Sequence, residues 1–215
     1  MTRPDFAAMS RRAALTGAAL ATMAMVAGCG GSGAGPAEGD MGMGAPEGAK
    51  VTVVEYASVT CHVCAAWQAE NWAAFKAAYV DTNKVRYVFR EIPTPPAQVA
   101  TAGFLIARCA GEERYFDVVH TLLASQAEMQ ADPRATLFRV GNGAGLSNSQ
   151  IEQCLTDDAG LTAAEKRAKA AQDAGVTGTP TFFVNGTKVA GTPGVAWGTT
   201  LESISAAIDA ELAKG

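Results

Sequence analysis

Basic residues are in short supply in this 215-residue chain. Its 17 Lys and Arg stand against 21 Asp and Glu, a net charge of −4, so the basic patch expected of a nucleic-acid binder is missing. Residues 1–28 hold three of the arginines and one aspartate, which leaves 14 basic and 20 acidic side chains for the rest. Long apolar runs are missing too: no stretch reaches the ~18–20 residues that a bilayer-spanning helix needs. Charged residues are only 18% and apolar residues 48%, which excludes a disordered or collagenous chain and leaves enough for one sizeable core. Cysteine is scarce and odd in number, five in all, so one of them stands outside any pairing scheme.

The N-terminus accounts for the odd cysteine. Ser10-Arg11-Arg12 precedes an apolar run from Ala13 to Ala27 that closes on Val26-Ala27-Gly28-Cys29, the build of an export signal over residues 1–28. The last four residues resemble the lipobox of bacterial lipoproteins, which implies cleavage before Cys29 and lipidation of its thiol. An ordinary signal peptide cut nearby, with Cys29 a stray thiol, is the alternative. The Ser-Arg-Arg-Ala-Ala-Leu-Thr stretch is also similar to the twin-arginine pattern, with Ala14 where an aromatic is usual, so both export routes stay open. Residues 30–48 contain eight glycines and two prolines, and the expectation is a flexible tether over 29–49 with ends about 25 Å apart. The folded domain is then expected over 50–215.

Within that domain, residues 51–56 (VTVVEY) form a β-branched, aromatic strand, 65–79 show helical spacing, and 85–89 (VRYVF) form a second strand. A connection of that length makes the two strands parallel, a βαβ unit. Helices are expected over 98–110, 112–126, 134–141, 148–155 and 161–174, an insertion of about 97–175. Residues 181–184 and 187–190 flank Asn185-Gly186, the dipeptide suited to a type I′ hairpin. A capping box at Thr199-Thr200-Leu201-Glu202 opens a final amphipathic helix. The order βαβ, helices, ββα is an α/β class.

Cys61-His62-Val63-Cys64 follows the first strand and opens the first helix, and in that context a Cys-x-x-Cys reads as a redox pair. The helix N-terminus favours a thiolate at Cys61, the expected nucleophile. Cys64, three residues on, lies within reach to close an intramolecular disulfide. His62 brings a possible positive charge beside the Cys61 sulfur. A metal site is not expected. Zinc would want four ligands, and His62, His120, Cys109 and Cys154 offer no second closely spaced pair. Covalent haem would need a histidine where Ala65 stands. Met41 and Met43 read as linker composition, Trp67 and Trp72 as core or groove residues, and His120 as structural.

Residues 55–64 (EYASVTCHVC) together with 176–186 (VTGTPTFFVNG) resemble the DsbA-like branch of the thioredoxin superfamily over about residues 50–212. The resemblance implies a thioredoxin-like fold with a helical insertion, and a thiol:disulfide oxidoreductase needing no soluble cofactor. It implies that Pro180 is cis and faces Cys61, that the Thr179 backbone pairs with a substrate peptide, and that Glu55 shuttles protons from Cys64. A partly exposed strand-end carboxylate is the alternative for Glu55. His62 and Val63 depart from the proline-histidine pair of many relatives, and this dipeptide tunes the potential. Cys109 and Cys154 remain: an exported protein can keep them joined as a structural disulfide, or they pack as two free buried thiols. The expected substrates are reduced or misoxidised exported proteins, with a membrane partner reoxidising the pair. The expected form is a monomer, held in the periplasm or cell envelope by lipidated Cys29. An isomerase, a reductase, and a tethered chaperone-like or metal-delivery module remain as alternatives.

Overall fold

The structure is a computed structural model and describes residues 35–195 and 198–214. The export signal and Cys29 lie outside the described residues.

Five strands form one mixed sheet in the order β1-β3-β2-β4-β5. They are β1 (Met41–Gly44), β2 (Thr52–Ala57), β3 (Arg86–Glu91), β4 (Thr181–Val184) and β5 (Thr187–Lys188). β2 runs parallel to β3 with Val53 opposite Tyr87 and Glu55 opposite Phe89. β4 lies antiparallel on its other side, with Glu55 opposite Phe182. β2 is thus central, and almost every one of its residues is buried, as a strand covered on both faces requires. The β4–β5 hairpin turns at Asn185 and Gly186, both at positive φ (45° and 81°), which a type I′ turn demands. The Asn185 side chain also accepts from Thr52 N at 2.8 Å and so ties the turn to the start of β2.

Eight α-helices accompany the sheet among the described residues: α1 (His62–Phe75), α2 (Ala97–Cys109), α3 (Glu112–Ala124), α4 (Gln126–Ala131), α5 (Pro133–Gly143), α6 (Asn148–Leu155), α7 (Asp158–Asp173) and α8 (Leu201–Ala213). α2 to α7 are the insertion. α1 runs on into a π-helical turn, Lys76–Val80. The larger core lies on the sheet face of Val53 and Ala57 and includes Trp67, Phe75, Tyr87, Phe104, Leu122 and Ile204. Val54, Tyr56, Val88 and Phe183 point to the other face and pack with Ala171 of α7 and Val176. At the end of β3, Glu91 is buried and binds Arg108 Nε at 2.7 Å, Arg167 Nε at 2.7 Å and the Tyr115 hydroxyl at 2.9 Å. One carboxylate thereby joins β3 to α2, α3 and α7, with its charge met on several sides as burial requires. Cys109, ending α2, and Cys154 of α6 form a disulfide with Cα atoms 6.2 Å apart.

Four expectations are corrected. The glycine-rich segment is not a tether throughout: Met41–Gly44 is an edge strand paired antiparallel to β3, Met41 opposite Phe89. Met41 and Met43 pack against the core, and backbone ladder bonds supply what the composition lacks in side chains. Arg90 holds Asp40 through Nε at 2.9 Å and Nη2 at 2.7 Å, and Arg108 Nη1 donates to Gly39 O at 3.0 Å, so the folded part reaches back well before Lys50. Second, the helix expected over 112–126 breaks at Ser125 and a short extra helix, α4, follows. Third, the last helix is capped one residue later than expected, by Thr200 paired with Ser203. Fourth, β5 is two residues long, so the strand expected over 187–190 stops at Lys188.

Candidate active site

β2 ends at Ala57, and a tight loop carries the chain into α1. Ser58 is fully buried there, and its Oγ accepts from Thr94 N at 3.2 Å. Thr60 Oγ1 donates to Thr94 O at 2.8 Å, and Cys61 N donates to Ser58 O at 3.1 Å. These bonds fix the loop against the segment after β3. From α4, Gln126 Nε2 reaches over and donates to Val59 O at 3.0 Å and Cys61 O at 2.9 Å.

Cys61 is the N-cap of α1, and its sulfur accepts from Cys64 N at 3.3 Å. Helix N-termini carry unpaired N–H groups and a positive dipole end, so the position suits a thiolate. Cys61 and Cys64 are both free thiols in the structure. The Cys61 thiol is pulled down to about 5, first by the hydrogen bond from the Cys64 side chain, then by Thr179 and the backbone N–H groups of Cys64 and Val63, against the opposing effect of burial. Cys64 is 1% exposed, and its thiol is pushed far up, mainly by burial and also by the hydrogen bond to Cys61 and the negative charges of Cys61 and Glu55. One cysteine is thus a ready thiolate and the other a held thiol.

His62 is exposed at the helix start and Val63 is half-buried against the core. The chief influences on Cys61 are its neighbours' N–H and S–H groups; His62 is not one of them. Across the site, the Thr179–Pro180 peptide is cis, and Cys61 Sγ lies 3.5 Å from Thr179 O. Beneath, Glu55 is 4% exposed. Its carboxyl is pushed up to about 7, chiefly by burial, with the Tyr87 hydroxyl at 2.5 Å pulling the other way and the Cys61 charge adding to the rise. Glu55 is therefore no partly exposed strand-end residue.

The structure brings together Cys61, Cys64, Glu55, Thr179 and Pro180, with Val63 contributing a backbone N–H. It places the Cys109–Cys154 bond in the helical insertion. Trp67 packs in the core against Phe182, and Trp72 lies against His120 with ring centroids 4.4 Å apart. His120 is kept neutral by burial, its pKa drawn down to about 4. Sequence reasoning missed Tyr87 and Gln126. The alternation of β3 puts Tyr87 on one face, but only the β2–β3 register shows that this is the face of Glu55. No group of three or more His, Cys, Asp or Glu able to hold a metal ion occurs among the described residues. No helix among them is long and apolar enough to cross a membrane.

A dithiol at the start of the helix after a central strand, opposed by a cis proline that opens another strand, is a thioredoxin-type site. The chain belongs to the thioredoxin family, whose model, described as Thioredoxin, matches residues 37–210. A Rickettsia conorii protein named a protein-disulfide oxidoreductase is 33% identical over 169 residues, 75% of this chain and 57% of that relative. The chain thus spans somewhat over half the length of this curated relative. Among solved structures, Wolbachia pipientis alpha-DsbA1 superposes with a TM-score of 0.70 at 23% identity, over 83% of this chain and 94% of that one. A thioredoxin-like oxidoreductase from Silicibacter pomeroyi does so with a TM-score of 0.61 at 25% identity, over 80% and 91%. The helical insertion is part of this shared, DsbA-like fold.

Proposed function

We propose that the protein is an exported thiol:disulfide oxidoreductase that transfers its Cys61–Cys64 disulfide to cysteine pairs in other exported proteins. The observation that carries this reading is the asymmetry of the pair: Cys61 caps α1 and keeps 9% of its surface exposed, while Cys64, one turn on, is 1% exposed. A substrate thiolate attacks Cys61 Sγ, the Cys61–Cys64 bond breaks, and Cys64 leaves to take up a proton. A second substrate thiolate then attacks the substrate sulfur of the mixed disulfide, and Cys61 leaves as a thiolate. The substrate loses two electrons and the pair gains them. No soluble cofactor is needed, and a membrane redox partner restores the disulfide.

The low pKa of Cys61 favours this oxidising direction over the reductase and isomerase alternatives, since a stabilised thiolate stabilises the reduced pair. Thr179 offers backbone for an extended substrate segment beside Cys61. Lipidation of Cys29 after removal of residues 1–28 would hold the protein, as a monomer, at the cell envelope. The bond between Cys109 and Cys154 is read as structural.

The test is oxidation of a dithiol peptide by the oxidised protein. A Cys64→Ser variant given the peptide in its disulfide form is expected to accumulate a mixed disulfide, as the Cys61 thiolate attacks the peptide disulfide and the second peptide sulfur leaves as a thiolate, and a Cys61→Ser, Cys64→Ser variant to have no activity. Full function of the double variant in cells would instead favour a chaperone-like or metal-delivery module.

A further inference from the structure

Glu55 lies beneath the two cysteines, and what holds it is unusual for a buried carboxyl: no Lys or Arg among the described residues pairs with it. Its hydrogen-bond partner among the described residues is the Tyr87 hydroxyl, which donates to Oε2 at 2.5 Å. The Tyr87 hydroxyl engages Oε2 and not the other oxygen, Oε1. Tyr87 is 1% exposed, and its ring is fixed by Trp72 at 4.9 Å and Phe75 at 5.7 Å from the α1 side and by Phe116 of α3 at 5.8 Å. A ring caged in this way cannot swing its hydroxyl elsewhere.

We propose, resting on the thiol-exchange reading above, that Tyr87 is a positioning residue for proton transfer: its hydroxyl pins the Glu55 carboxyl by Oε2 and leaves Oε1 to exchange a proton with Cys64. When a substrate thiolate attacks Cys61 Sγ, the electron pair of the broken S–S bond passes to Cys64 Sγ. That sulfur is buried where a thiolate is disfavoured, so protonation must accompany its departure. The protonated Glu55 carboxyl gives up its proton, directly or across one water, and is left as a carboxylate. The carboxylate then keeps one charge-assisted hydrogen bond, from Tyr87. In the reverse step, reoxidation, the same carboxylate takes the proton back from Cys64.

The groups facing this carboxyl are few. α1 contributes Cys61 and Cys64, β3 contributes Tyr87, and β4 contributes the apolar Phe182. Tyr115 of α3 acts on Tyr87 from behind. With no cation in the set, the Tyr87 hydrogen bond is the main influence opposing burial, so its removal makes the carboxyl harder to ionise.

The experiment follows the reaction of the oxidised protein with a dithiol peptide across pH, corrected for the ionisation of the peptide thiols. The wild-type rate is expected to fall as pH rises through neutrality, where Glu55 loses its proton. Tyr87→Phe should move that midpoint up by about one unit or more, as loss of a hydrogen bond to a charged group implies. A fluorinated tyrosine at position 87, a stronger donor, should move it down. Glu55→Gln should remove the inflection, and Tyr87→Phe should add nothing to it. An infrared titration of the Glu55 carboxyl band, identified by its loss in Glu55→Gln, reads the same midpoints without activity. A band midpoint that stays put in both Tyr87 variants overturns the proposal. Absence of any reaction with the peptide, with the band midpoints shifting as described, instead overturns the thiol-exchange reading and leaves the contact between Tyr87 and Glu55 standing.

Discussion

The Sγ of Cys61 lies 3.5 Å from the carbonyl oxygen of Thr179, a residue 118 positions further along the chain. Between them sits the whole helical insertion, so the site forms only when β4 returns to the side of β2. That return places a backbone segment beside the thiol that reacts.

The hydrogen bond from the Cys64 side chain is the largest influence lowering Cys61, so Cys64→Ala should raise the Cys61 pKa well above its value of about 5. His62→Ala should raise it much less. Ultraviolet thiolate absorbance reads both midpoints. The sign for stability follows: a depressed thiol favours the folded reduced form above about pH 9, where the unfolded thiol is also ionised, and loses that advantage as pH falls through about 5. The stability of the reduced over the oxidised protein should therefore widen between those limits, measured by denaturation of both forms.

Glu55 shifts the opposite way. Its carboxyl rises from 4.5 to about 7 in the folded protein, so folding carries no penalty from it below about pH 4.5 and a growing one up to about pH 7, constant above. Glu55→Gln should leave stability at pH 4 nearly unchanged and raise it at pH 8 by about 3 kcal/mol, while slowing thiol exchange. Urea denaturation at the two pH values measures the difference.

The bond between Cys109 and Cys154 closes a separation of 45 residues, for which the chain-entropy model gives roughly 4 kcal/mol. A Cys109→Ala, Cys154→Ala variant should lose stability on that scale yet keep a titratable Cys61. Peptide mapping should recover neither cysteine alkylated unless reductant is added first.

Gly44 has φ +83°, and a Cβ there would stand 2.6 Å from Val85 O. Gly44→Ala should cost roughly 1–3 kcal/mol. Gly48, at φ +82° with open space around it, separates strain from clash: Gly48→Ala should cost less. Equal, negligible losses at both positions would show that the strand before Lys50 adds nothing to the fold.

Most of the chemistry was legible in the sequence because it is local. Cys61 and Cys64 announce themselves by spacing, the strand before them by its β-branched residues, and the β4–β5 turn by Asn185-Gly186. What escaped depends on contacts between distant segments. Gln126 was expected at the end of a helix, and only the break at Ser125 turns its amide onto Val59 and Cys61. Tyr87 becomes part of the site through strand register. Composition misled at residues 41–44: glycines that suggest a tether also fit an edge strand, where Gly42 leaves room for the Arg86 guanidinium. Glu91 was unremarked because its partners, Arg108, Tyr115 and Arg167, come from three different helices.

The measurement closest to the central claim is the reduction potential of the Cys61–Cys64 pair, taken in glutathione buffers with the fraction reduced read by alkylation. A thiolate held near pH 5 at the N-cap of α1 predicts a potential clearly above the roughly −270 mV of thioredoxin, in the direction of the roughly −120 mV of DsbA. A value at or below that of thioredoxin would contradict the assignment of this pair as a disulfide donor.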